Sequence, residues 1–177
     1  MTKKERYNFI AEQYEIFKKV NVNNFDEVTS NFETLINKVI STMLTIDTNT
    51  GVNMWQYLLN TYYLKCNFLY YHILTDHAIE VFEDRIGVQA LKEILMKNEN
   101  IRQKVFMLDS YENHLYCEWF IRDLILEKEY AAANELLSLY SQNKSGDLYS
   151  ALYSAINSGE TRWKINQEGV ELIKKWA

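Results

Sequence analysis

Proline is absent from the 177 residues, and glycine occurs only five times, at Gly51, Gly87, Gly146, Gly159 and Gly169. Proline breaks helices and glycine punctuates turns. Their scarcity predicts long helices joined by short polar connections and argues against an all-β fold. The two cysteines, Cys66 and Cys117, sit in apolar helical patterns, where a thiol behaves as a small hydrophobe, so both are expected to be reduced and structural. No run reaches the length of a membrane span, and the opening MTKKERYNFIAEQY is basic without the apolar stretch of a secretion signal. The expectation is a cytoplasmic protein without membrane contact. Cations are also scarce: 19 Lys and Arg stand against 24 Asp and Glu, a formal net charge of −5. A phosphate-binding surface needs an excess of cations on one face, so this balance argues against nucleic acid and suits a basic protein partner.

What is abundant is apolar and aromatic. Hydrophobic residues make up 47% of the chain and aromatics 14%, with 13 Tyr and 4 Trp, too much for a disordered polymer. A chain of this size buries roughly 70% of its unfolded surface, enough for one folded domain over residues 1–177.

The pattern along the chain is helical. Tyr7, Ile10, Tyr14 and Phe17 recur at spacings of three and four and place an amphipathic helix over Lys3 to Lys19. After a polar connection, Asn24 can cap a second helix with Asp26 and Glu27 in its first turn and a core stripe of Phe25, Val28, Phe32, Leu35, Ile36, Val39, Met43 and Leu44. A break at Asp47 to Gly51 precedes the most apolar stretch, Val52 to about Leu74, read as a central helix contacted from several sides through Trp55, Leu58, Leu59, Tyr62, Tyr63, Cys66, Leu69, Tyr70 and Ile73. Thr75 or Asp76 can cap a fourth helix to about Arg85, with Ile79 and Phe82 inward and Asp76, Glu80, Glu83 and Asp84 outward. Gly87 ends it. Val88 to Lys97 then turns Leu91, Ile94 and Leu95 inward, and Asn98 to Asn100 is a turn. A helix or bent pair follows over Ile101 to Glu127, with Val105, Leu108, Leu115, Trp119, Ile121, Leu124 and Ile125 as core and a boundary near Asp109 and Ser110.

In LILEKEYAAANELLSLY, Leu124 to Tyr140, Leu126 precedes a turn, Tyr130 follows it, Ala133 comes three residues on, and Leu136 and Leu137 lie beyond. This resembles the elbow between paired helices of tetratricopeptide-type repeats, in which a small residue allows close approach and an aromatic fills the gap behind it. Glu129 replaces the family's turn glycine and no second repeat is visible, so one helical hairpin is expected. Gly146 ends that hairpin and Asp147 can cap a helix with Leu148, Ala151, Leu152, Ala155 and Ile156 on one side. The ending WKINQEGVELIK, Trp163 to Lys174, resembles the strand-to-helix terminus of winged-helix regulators, although capping by Asn166 explains it without DNA, and Trp176 is expected to pin the terminus. The resulting expectation is an all-α, single-domain multi-helix bundle of about eight helices.

Catalytic signatures are missing. No arginine precedes a histidine at the spacing of helical ribonucleases, and there is no His-Asp dipeptide, Glu-x-x-His, Walker loop or Gly-x-Ser-x-Gly. His72 and His77 would stand about 140° apart on a continuous helix and form no metal pair there. A break near Thr75 would permit a site of His72, Asp76, His77 and Glu80, joined by His114, and this keeps a helical enzyme or metalloprotein as the alternative. Otherwise neither cofactor nor metal is implied, and the chain reads as a binder and not an enzyme.

Four carboxylates fall within nine positions, from Asp76 to Asp84. Tyr71 and His72 stand beside them, and tyrosine is enriched at protein interfaces. The expected partner-binding set is therefore Tyr71, His72, Asp76, Glu80, Glu83 and Asp84, with Tyr71 as an anchor. In class and composition, though through no motif, the chain resembles small acidic helical immunity proteins that neutralise bacterial toxins, as in contact-dependent inhibition. The resemblance implies a cytoplasmic inhibitor of a basic toxin domain, often a nuclease, whose phosphate-binding surface meets the carboxylates. A generic helical adaptor is the other binding-protein reading.

Overall fold

The computed structural model describes residues 2–19, 25–63, 68–107, 115–141 and 167–176. Every regular element among them is helical. The chain divides into two compact units, Met1–Ile86 and Gly87–Ala177.

The first unit begins with α1 (Lys3–Lys18). Its start is a capping box: the Thr2 hydroxyl accepts from the Glu5 amide at 3.2 Å, and the Glu5 carboxylate accepts from the Thr2 amide at 2.7 Å. The backbone bond to Thr2, with its side-chain bond second, holds the Glu5 carboxyl below the ordinary glutamate value. Tyr7, expected inside, is 72% exposed, while the inward stripe runs through Phe9, Ile10, Gln13 and Phe17. The helix has turned toward the i, i+4, i+8 row that ends on Phe17, whose ring packs 5.1 Å from that of Tyr57.

The expected second helix is α2 (Phe25–Thr34) and α3 (Ser41–Ile46) joined through a π-helical segment, Leu35–Ile40. The Ser41 amide bonds the Ile36 carbonyl five residues back. This wider turn brings Ile40 and Ser41 inside with Leu35, Ile36, Val39, Met43 and Leu44. The buried Ser41 hydroxyl is satisfied by donating to the Asn37 carbonyl at 2.6 Å. α4 (Thr48–Tyr62) then starts at once, because Asp47 accepts from the Thr50 amide at 3.3 Å and serves as N-cap. The expected break is thus one residue wide, and Gly51 lies inside the helix. A Cβ there would stand 2.9 Å from both the Leu44 amide nitrogen and Leu44 Cδ2, so only glycine permits this approach of α4 to α3.

The expected central helix is split into α4 and α5 (Phe68–Leu74), followed by α6 (Asp76–Ile86). Trp55, fully buried on α4, donates from Nε1 to the Leu74 carbonyl at 2.9 Å and stacks edge-on against Phe82 at 4.9 Å. One side chain thereby satisfies the end of α5 and packs against α6. Thr75, between the two helices, is buried and donates its hydroxyl to the Tyr71 and His72 carbonyls at 3.2 and 3.4 Å.

The second unit opens at Gly87, whose φ of +87° lies in the region that side chains disfavour. α7 (Val88–Lys97) buries Leu91, Ile94 and Leu95 as expected. Asn98 alone separates it from α8 (Glu99–Phe106), which buries Ile101, Val105 and Phe106. On α9 (Leu115–Leu126) the core residue is Phe120 and not Trp119, which is 40% exposed beneath an Arg122 guanidinium 5.5 Å from its ring. The inward face contains Cys117, Phe120, Ile121, Leu124 and Ile125, and Trp119 falls off its edge.

The hairpin of α9 and α10 (Tyr130–Ser141) is formed as anticipated, with Ala133, Leu136 and Leu137 fully buried. Its turn is a Schellman arrangement: the Glu129 amide bonds the Leu124 carbonyl at 2.8 Å and the Lys128 amide bonds Ile125 at 3.1 Å. Lys128 takes the left-handed position with φ of +63°. The Tyr140 hydroxyl, donating to Glu118 at 2.6 Å, ties the two helices at the far end. α11 (Gln167–Trp176) packs on α10, with Lys175 donating to Asn134 at 3.1 Å. The expectations for Asn24, Cys66, His114, the Asp109 boundary, the helix after Asp147 and the strand at Trp163 to Ile165 lie outside the described residues.

Candidate functional site

The inner side of α6, Ala78, Ile79 and Phe82, is fully buried, with α3, α5 and the π-helical segment packed against the helix. Ile79 and Phe82 point inward as their spacing foretold. Of the expected acidic surface, Asp84 is exposed and Glu80 and Glu83 are partly exposed, close to one another at four- and three-residue intervals.

Two expected members belong elsewhere. Tyr71 is 3% exposed; its hydroxyl reaches the Leu59 carbonyl at 3.4 Å and its ring meets Tyr63 edge-on at 5.8 Å. Asp76 is 1% exposed, at the first position of α6, where the helix dipole favours a carboxylate. Asp76 lies three residues before Ile79, on the same side of α6 as the buried Ile79 and Phe82, and Tyr71 belongs to α5, whose helical phase is separate from that of α4. Tyr71 is therefore a core aromatic and Asp76 a buried helix-terminal acid, and neither offers an exposed contact.

The break at Thr75 meets the condition set for a histidine-centred site, but the histidines separate. His72 Nε2 lies 3.9 Å from Asp76, and His77 Nδ1 lies 3.5 Å from Glu80. The second nitrogen of His77 is 2.8 Å from the Asn37 side-chain oxygen, on the π-helical segment. Asn37 carried no signal in the sequence, since only the extra residue of the π turn sets its position against α6. Among the described residues no group of three or more His, Cys, Asp or Glu side chains is arranged to hold a metal ion, and no helix is long and apolar enough to cross a membrane.

The arrangement sets each of these histidines beside a carboxylate. What it offers is a firmly seated helix with carboxylates toward solvent, rimmed by the partly exposed His72 and His77. Comparison with protein-family models, curated proteins and solved structures gives no match.

Proposed function

We propose that this chain is a non-catalytic protein-binding domain, an immunity-type inhibitor that covers a basic toxin domain in the cytoplasm of the producing cell. The observation that carries the reading is the pairing, on α6, of a fully buried inner side with Glu80, Glu83 and Asp84 on the outer one. A helix held this way fixes the backbone that carries the carboxylates before the partner arrives, so only their side-chain freedom is lost on binding. Their mutual repulsion is relieved by a cationic surface, which accelerates encounter through long-range attraction. His72 extends the rim. Asp76 serves the site from inside, beside His72 at the α5–α6 junction, and Tyr71 ties α5 to the end of α4.

Co-expression with the product of the neighbouring reading frame tests the proposal. A stoichiometric complex that blocks the partner's toxicity, and that is weakened by joint Glu80→Lys, Glu83→Lys and Asp84→Lys substitution, is the expected result. A complex indifferent to the triple change would remove α6 as the interface, and a partner that remains toxic when bound would remove inhibition as the function.

A further inference from the structure

A cleft in the second unit, bounded by α7, α8 and α10, presents an arginine whose hydrogen bonding is incomplete. The cleft measures about 550 Å³ and is lined by Met96 and Ala132 together with Lys92, Arg102, Glu129 and Glu135. Lys92 and Glu129 are paired at 3.2 Å. Arg102 differs. Its Nη1 donates to the Leu95 and Met96 carbonyls at 2.8 and 2.7 Å, closing the C-terminal end of α7. Those two bonds fix the plane of the guanidinium, and the side chain is only 12% exposed. The donors that remain are Nε–H and those of Nη2. Nη2 meets Glu135 at 3.6 Å, too far for a hydrogen bond, and the buried Nε has no hydrogen-bond partner. A buried cationic donor left in this state carries the cost of its lost hydration without return.

We propose that this edge of Arg102 recognises a carboxylate on a protein ligand: an aspartate or glutamate of a segment laid in the cleft, which displaces Glu135 and bonds Nε and Nη2 together. The planar fork matches a two-oxygen anion, and its orientation is already set by the end of α7. Glu135 is half exposed and returns to water at little cost, while Glu129 stays with Lys92. Met96 and Ala132 provide apolar contact, and the small side chain of Ala132 admits a backbone closely. Glu93, Glu129 and Glu135 balance Lys92, Lys97 and Arg102 around the cleft, so no net positive field draws a compact polyanion such as phosphate, whereas a single carboxylate on a mixed-charge peptide needs only the Arg102 edge. This site is independent of the acidic face of α6, in residues and in the sign of the charge it reads.

Nitrogen–proton NMR of the whole chain follows the Arg102 Nε–H directly. The probe is a blocked helical peptide of EAAAK repeats, whose glutamates and lysines pair at four-residue spacing. The Nε–H resonance should move saturably on titration, and the same peptide with glutamine for glutamate should bind at least about tenfold more weakly. Glu135→Gln removes the internal competitor but keeps the α7 cap, and should lower the peptide's Kd by about threefold or more. Arg102→Lys should abolish binding with helix content retained. If that variant loses its fold, Glu135→Gln and the glutamine peptide still decide the matter. An unmoved Nε–H, equal binding of the glutamine peptide, weaker binding by Glu135→Gln, or an equal response to inorganic phosphate would each overturn the proposal.

Discussion

Replacing Gly51 by alanine sets two physical effects against each other, and the structure decides between them. Within an exposed helix the change would stabilise by about 1 kcal/mol, because glycine is the poorer helix former. At this position the added Cβ would stand 2.9 Å from the Leu44 amide nitrogen and Leu44 Cδ2 and 3.0 Å from Leu44 Cγ. Side-chain atoms can move, but the backbone nitrogen belongs to α3 and moves only if α3 and α4 part. Overpacking of this kind costs about 1–3 kcal/mol, with the upper end expected where backbone is the obstacle. The net prediction is a loss of about 1–2 kcal/mol, equivalent to a fall of roughly 0.5–1.5 M in the urea midpoint. Trp55 is the only tryptophan of residues 1–86. Fluorine NMR of the fluorotryptophan-labelled chain therefore reads the unfolding of that unit at one resonance. Leu44→Ala in the same background should restore little, since it leaves the contact with nitrogen in place. A Gly51→Ala chain as stable as the parent, or more so, would refute the close approach of α3 and α4.

Other outcomes follow from single positions. Lys128→Gly removes the strain of a side chain at φ +63° and should stabilise the second unit by about 1 kcal/mol, read as a rise in its denaturation midpoint. Tyr71→Ala should destabilise the first unit by about 3–5 kcal/mol, as for a buried aromatic, whereas Tyr71→Phe should cost under about 1 kcal/mol because the 3.4 Å bond it removes is long. Glu5 has a lowered pKa in the folded chain, so its capping contribution is present above the unfolded value and lost as pH falls through the folded one. Hydrogen exchange in the first turn of α1 should accelerate over that acidic range, and Glu5→Gln should make it less sensitive to pH.

Much of the helical pattern could be read directly. Leu91, Ile94 and Leu95 recur at intervals that admit only one buried face, and Ala133 with Leu136 and Leu137 marks the hairpin core without reference to tertiary contacts. The failures have identifiable causes. Periodicity carries phase forward only while a helix is unbroken, and the split between α4 and α5 and the π turn at Leu35–Ile40 each reset that phase. Tyr71 therefore faces the core where a helix continuous from Val52 would turn it out, and Ile40 joins the core; Asp76 is buried for another reason, since it lies three residues before Ile79 on the inner side of α6, a spacing that its charge obscures. Trp119 shares the apolar pattern of its helix, yet Phe120, one position on, occupies the buried place. Arg102 had no motif around it, because its role depends on the carbonyls that α7 leaves open at Leu95 and Met96.

The acidic face of α6 as the binding surface is tested most directly by the association rate with the co-expressed partner, measured by stopped flow from low salt to about 0.15 M, where screening acts within about 8 Å. Attraction to Glu80, Glu83 and Asp84 predicts a rate that falls about tenfold or more over this range for the native chain. In the chain carrying Glu80→Lys, Glu83→Lys and Asp84→Lys, the rate should be slow at every salt concentration and its decline with salt lost. An unchanged rate with the same salt dependence in that variant would contradict the account and leave α6 as solvated surface.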